Sequence, residues 1–178
     1  MEEIVVHDKT FVPYLSAQKI EEAIKQMADR LRRDMEGKDP LYVCIMNGAF
    51  MFAAELLKQL PGNQEVAFAR YSSYQGTQST FELKEITPVA TSLKDRVVVL
   101  LEDLIDTGYT MKCVKENFLS KGAKEVYIAT MLIKPDSIKC DIKADYVGLP
   151  IESGFIVGHG LDYNDRGRTL NDIYILKE

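Results

Sequence analysis

Glu102 and Asp103 stand side by side after the aliphatic run 97–101, and Asp106-Thr107-Gly108-Tyr109-Thr110 follows two residues later. Ionised carboxylates accept hydrogen bonds and attract cations but donate nothing, so an adjacent pair suits a vicinal diol or a hard metal ion. The Asp-Thr-Gly-Tyr-Thr segment has the opposite character. Its backbone N–H groups and two hydroxyls, placed at the start of a helix, make an anion site. It is not a Walker A loop, because Gly108-Tyr109-Thr110 lacks the lysine. The bland alternative is a strand, a turn and an Asp or Thr N-cap that bind nothing. A carboxylate pair at the mouth of an apolar strand weighs against that alternative.

The elements that must position these groups are legible in the hydrophobic pattern. A β-branched aliphatic run reads as a strand buried on both faces of a parallel sheet, and open α/β sheets bind ligands at the carboxyl ends of such strands. We expect this central strand at 96–101 and its helix at 110–121, stopped by Gly122. Upstream, Ser16 is an N-cap candidate, followed by Ile20, Ile24, Met27, Leu31 and Met35 at helical spacing, with Gly37 and Pro40 beyond. Further strands are expected at 41–46, 65–74, 81–86 and 125–133, and a helix at 49–60. Asn47-Gly48 reads as a turn and 75–79 as a polar tip. Shorter strands are expected near 146–149, 155–157 and 172–176. Alternating strands and helices predict an α/β fold with a central parallel sheet, and residues 1–178 are expected to form one domain. The hairpin and the late short strands suggest small additions on the carboxyl-end face.

Composition narrows the function. The chain carries 22 basic and 27 acidic residues, a net charge of −5, with no polybasic run. That argues against an extended nucleic-acid surface. No stretch approaches eighteen apolar residues, and the acidic N-terminus lacks a signal-peptide pattern, so neither membrane nor export is expected. Cys44, Cys113 and Cys140 show no metal spacing, which suits a reduced, cytoplasmic protein. His7 and His159 are the only histidines, too few for a multi-histidine metal site, and His159 reads as structural.

An acidic pair, two apolar residues and Asp-Thr-Gly-x-Thr together resemble the phosphoribosyl-pyrophosphate motif of type I phosphoribosyltransferases. The likeness extends along nearly the whole chain to the hypoxanthine-guanine branch of that family. It runs through Ile45-Met46-Asn47-Gly48-Ala49, Ser73-Tyr74, Glu102 to Thr110, Ile133-Lys134, and Phe155-Ile156-Val157-Gly158, continuing through Leu161-Asp162-Tyr163-Asn164 to Arg168. The resemblance implies a mainly parallel twisted sheet flanked by helices, with a small hood and a flexible hairpin lid.

The resemblance also implies roles. Thr107, Gly108, Tyr109 and Thr110 match the 5′-phosphate cradle, Tyr109 through its backbone only. Glu102 and Asp103 match the carboxylates on the ribose hydroxyls. Asp106 matches the general base near purine N7, although it could also cap the helix. Lys134 matches the donor to O6, Phe155 the aromatic that stacks on the base, and Ile156 a source of backbone contacts. Asp162 lies on the purine and metal side, and Arg168 matches a pyrophosphate-binding arginine. Met46, Asn47 and Gly48 match a pyrophosphate loop that often carries a non-proline cis peptide, here Met46–Asn47. Asn47 stands where many relatives have lysine, and Ala49 where they have glycine or serine. Ser73 and Tyr74, with the polar segment 75–80, match the lid. Glu102, Asp103 and Asp162 are the expected metal-side carboxylates, with Mg2+ as the cofactor.

The implied activity is purine salvage: hypoxanthine or guanine plus phosphoribosyl pyrophosphate gives IMP or GMP plus pyrophosphate. The partners would be these small molecules, with neither nucleic acid nor membrane, in a homodimer or homotetramer. Three rivals stay open: a xanthine-preferring enzyme, an RNA-binding regulator on the same fold, and a catalytically silent ligand-binding protein.

Overall fold

The structure is a computed structural model that describes residues 2–75 and 81–177. In chain order its elements are β1 (Ile4–Val6), β2 (Lys9–Leu15), α1 (Ala17–Asp34), β3 (Leu41–Met46), α2 (Phe50–Gln59), β4 (Glu65–Gln75), β5 (Phe81–Thr87), β6 (Val97–Ile105), α3 (Tyr109–Ser120), β7 (Glu125–Ile133), β8 (Tyr146–Pro150), β9 (Ile156–Val157) and β10 (Ile173–Leu176). A 3-10 turn, Pro135–Ser137, follows β7.

The central sheet has the order β5-β4-β3-β6-β7-β8. All its pairings are parallel except β4 with β5. Period-2 alternation divides its side chains between two cores. Tyr42, Cys44, Val97, Val99 and Leu101 pack with α1 and α2. Leu41, Val43, Ile45, Val98 and Leu100 pack with Met111, Val114 and Phe118 of α3. α1 forms because Ser16 caps it, its hydroxyl accepting from Lys19 N at 3.3 Å, and because Ile20, Ile24, Met27 and Leu31 make one buried stripe.

A second, antiparallel sheet has the order β1-β2-β10-β9. It joins the two ends of the chain around Val6, Phe11, Val157 and Tyr174 and forms the hood. Its first two strands were not expected from the sequence. Val6 pairs with Lys9 across the turn at His7-Asp8, which lacks the Asn-Gly or Asp-Gly signature of a tight hairpin. Pro13 further disguises β2, which holds it opposite Tyr174 beside a bulge.

Most other expected bounds shift by one or two residues. The larger change is in β6, which continues to Ile105 rather than ending at Leu101. Its ladder with β7 persists through Glu102↔Thr130, Leu104↔Leu132 and Ile105↔Ile133, whereas pairing with β3 stops at Cys44↔Leu101. The carboxylates therefore sit inside the strand's last turn of pleat, held on one side only. Phe155, expected in a strand, precedes β9 and is 45% exposed.

Candidate active site

α2 leaves β3 toward one face of the sheet and α3 leaves β6 toward the other. Adjacent strands whose connections diverge leave a crevice between their carboxyl ends, the topological switch point of an open α/β sheet. Met46-Asn47-Gly48 closes one side of this crevice, with a cis Met46–Asn47 peptide as expected. Glu102 to Thr110 closes the other.

The two sides touch. A Cβ built on Gly48 would lie 1.6 Å from Asp103 Oδ2, so no larger residue fits here without displacing the carboxylate. Asp103 Oδ1 accepts from Leu104 N at 2.8 Å. Burial pushes the Asp103 carboxyl up to about 6, while the Leu104 N–H and the charge of Arg168 pull the other way. Burial, then the neighbouring Asp103 charge, holds the Glu102 carboxyl well above the usual range. Glu102 Oε2 is buried without a hydrogen-bond partner among the described residues. Such an orphaned acceptor is costly unless something is bound to it.

Past the carboxylates, a cleft of about 100 Å³ is lined by Glu102, Leu104, Ile105, Asp106, Thr107, Gly108, Thr110 and Met111. Gly108 is the N-cap of α3 and is left-handed (φ 87°), so neither Asp106 nor a threonine supplies a side-chain cap. The Thr107 carbonyl accepts from Lys139 N at 3.0 Å, which fixes the turn from behind. The Tyr109 hydroxyl donates to Lys139 O at 3.2 Å, so its ring is engaged in that same backing.

Asp106, freed from capping, pairs with Lys134: Nζ lies 2.9 Å from Oδ2. Lys134 is only 8% exposed, against the usual habit of a strand-end lysine. The parallel pairing of β6 with β7 brings the two strand ends to the same height. A buried cation beside a half-exposed carboxylate thus offers a donor and an acceptor within one hydrogen-bond length.

From the hood, the loop between β9 and β10 folds as a tight hairpin. Gly158 and Leu161 exchange backbone hydrogen bonds, as do Tyr163 and Arg166. Arg168 Nη2 meets Asp162 Oδ1 at 2.8 Å, and Nη1 donates to Gly160 O at 2.9 Å. Phe155 lies edge-on to Tyr163 (5.7 Å between centroids) and tilted against Phe11 (6.1 Å). Phe11 and Tyr163 are contributions to this wall that sequence reasoning missed, since Phe11 lies in the unexpected β2.

The structure therefore gathers Met46, Asn47, Gly48, Glu102, Asp103 and the turn 106–110 around one crevice, with Lys134 at its edge. Asp162 and Arg168 are close enough to act on the Asp103 charge. Ile156 is buried and its strand pairs with β10, so its backbone is largely committed there. Ser73 and Tyr74 lie near the end of β4; 76–80 of the expected lid lie outside the described residues. Among the described residues, no group of three or more His, Cys, Asp or Glu is arranged to hold a metal ion. Glu102, Asp103 and Asp162 are thus not a preassembled three-carboxylate cage, because Asp162 is engaged by Arg168 and by Asp165 N.

An anion-binding turn, a carboxylate pair and a donor–acceptor pair meet at the switch point of the sheet. The chain belongs to the phosphoribosyl transferase family, whose domain model matches residues 13–164. Among its relatives, the hypoxanthine-guanine phosphoribosyltransferase of Lactococcus lactis is 41% identical over 92% of this chain and 89% of its own. That of Bacillus subtilis is 37% identical over 92% and 91%. A crystal structure of the Staphylococcus aureus hypoxanthine phosphoribosyltransferase superposes with a TM-score of 0.88 at 36% identity, covering 93% of this chain and 90% of that one.

Proposed function

We propose that the protein transfers a 5-phosphoribosyl group from phosphoribosyl pyrophosphate to N9 of hypoxanthine or guanine, releasing pyrophosphate. The observation that carries this is the Lys134–Asp106 pair at 2.9 Å beside the phosphate turn. The edge of a 6-oxopurine presents an O6 acceptor next to N7, which bears the proton in the reactive tautomer. An ammonium and a carboxylate side by side match that edge. Adenine would turn its 6-amino group toward the ammonium, donor against donor.

In this reading the turn 107–110 holds the 5′-phosphate on backbone N–H groups and hydroxyls. Glu102 and Asp103 accept from the ribose hydroxyls and favour positive charge developing on the ring. N9 attacks C1′, the bond from C1′ to the pyrophosphate oxygen breaks, and Asp106 takes the proton from N7. Phe155 stacks on the base and Asp162 borders it. Gly48 and the Met46–Asn47 backbone, with Arg168, bind pyrophosphate. Ser73 and Tyr74 begin a lid that excludes water.

The donor chemistry fits Mg2+. The orphaned Glu102 Oε2 and the adjacent Asp103 carboxylate are hard oxygen ligands, and magnesium commonly takes one or two carboxylates with substrate oxygens and water. Asp162 would join on its metal side. When bound, the cation supplies counter-charge for the pyrophosphate. We further place the protein in the cytoplasm as a homodimer or homotetramer. The free cysteines are consistent with a reducing compartment, and among the described residues no helix is long and apolar enough to cross a membrane.

A base panel with phosphoribosyl pyrophosphate and Mg2+ tests the proposal. Nucleotide should form from hypoxanthine and guanine and not from adenine. No turnover with hypoxanthine, guanine or xanthine would sink it.

A further inference from the structure

We infer that His159 and Glu55 form a positioning pair that sets the pyrophosphate side of the site; the inference rests on the functional reading above. His159 is 3% exposed, and its Nε2 lies 3.0 Å from Glu55 Oε2. The residue holds a left-handed backbone (φ 48°), a conformation uncommon for residues other than glycine. It is flanked by Gly158 and Gly160, both also at positive φ.

The neighbour on its carboxyl side is the critical one. A Cβ on Gly160 would fall 1.9 Å from the carbonyl oxygen of Gly48, so the hairpin backbone rests directly on the proposed pyrophosphate loop. Gly160 also holds Arg168 at both ends: its N–H donates to Arg168 O at 2.8 Å, and its carbonyl accepts from the guanidinium at 2.9 Å. Whatever fixes Gly160 therefore fixes Gly48 and Arg168 together.

Glu55 is the other anchor. It belongs to α2, which begins immediately after Gly48 and Ala49. α2 thus grips the hairpin at two points: through the loop at its start, and through Glu55 to His159 farther along the same helix. Two contacts between one helix and one hairpin remove a rotation that a single contact permits. Neither His159 nor Glu55 is among the residues assigned to the sugar or the purine, and the backbone the pair steadies meets the proposed pyrophosphate loop at Gly48.

The test compares full-length His159→Phe, Glu55→Ala and Glu55→Gln with the unaltered protein. His159→Phe keeps the volume and loses the bond, whereas Glu55→Gln keeps a partner for either histidine tautomer. Readouts are KM for phosphoribosyl pyrophosphate and for hypoxanthine, kcat, the affinity for Mg2+-pyrophosphate by calorimetry, and the melting midpoint. His159→Phe and Glu55→Ala should weaken pyrophosphate affinity and raise KM for phosphoribosyl pyrophosphate by roughly three- to tenfold, the range of one lost hydrogen bond. KM for hypoxanthine should stay put, and Glu55→Gln should stay near the unaltered protein. Unchanged pyrophosphate affinity, or equal damage to both substrates, overturns the inference. If His159→Phe does not fold, the two Glu55 variants decide. If the unaltered protein binds pyrophosphate but turns over no 6-oxopurine, the functional reading falls while the affinities still judge the pair. Failure to bind pyrophosphate overturns both.

Discussion

Gly48 lies against the carboxylate of Asp103, so closely that even one added carbon would sit at bonding distance from Oδ2. The loop after β3 and the end of β6 thereby become one wall of the site. Gly48→Ala should push Asp103 and the 46–48 backbone apart. We expect kcat/KM for phosphoribosyl pyrophosphate to fall about 100-fold, and stability by about 1–3 kcal/mol, the usual cost of overpacking. Steady-state kinetics and thermal melting check this; a variant with normal kinetics would mean that the contact is dispensable.

Asp106→Asn should retain nucleotide binding and slow chemistry by about 10²–10⁴-fold, the scale of lost general-base catalysis. Single-turnover rates beside a calorimetric measurement of IMP binding separate the two effects. Near-normal turnover would reduce Asp106 to a partner of Lys134.

Lys134→Gln removes the ammonium while leaving the strand end intact. Its partner Asp106 is half-exposed, so little stability should be lost. Hypoxanthine kcat/KM should drop about 10–100-fold, roughly the 1–3 kcal/mol of a charged hydrogen bond. Discrimination against adenine should narrow, as read from the same base panel. Unaltered selectivity would place the O6 donor elsewhere.

The metal-free protein should lose stability as pH rises from about 4 to about 6. Asp103 keeps its proton in the folded state over that window, because burial raises its folded value above the unfolded one. The folded state therefore binds more protons than the unfolded state there, so stability falls with rising pH and the penalty is complete above about 6. Glu102 is shifted in the same direction. Asp103→Asn should flatten this part of the melting-midpoint profile and stabilise the metal-free protein at neutral pH by up to roughly 3 kcal/mol. A parallel profile in the variant would show that another group carries the dependence.

Much of this site is local in sequence, which is why it is legible there. Residues 102–110 form the end of one strand, one turn and one helix start, so spacing alone places their groups together. The β7 strand was equally plain, and its bounds agree with the expected 125–133. The hood was not. Its four strands come from both ends of the chain, and its first hairpin carries no turn signature.

The chain's own pattern of aliphatic strand, carboxylates and small-residue turn is enough to predict an α/β sheet with an anion-binding turn beside a carboxylate pair at its carboxyl edge, because those groups lie within a few residues of one another. Sequence cannot say that Lys134 is buried on Asp106, that Gly48 abuts Asp103, or that His159 reaches Glu55 104 residues away. Those contacts depend on strand register and on which face each connecting helix takes, and both follow from packing the helices against the two faces of the central sheet.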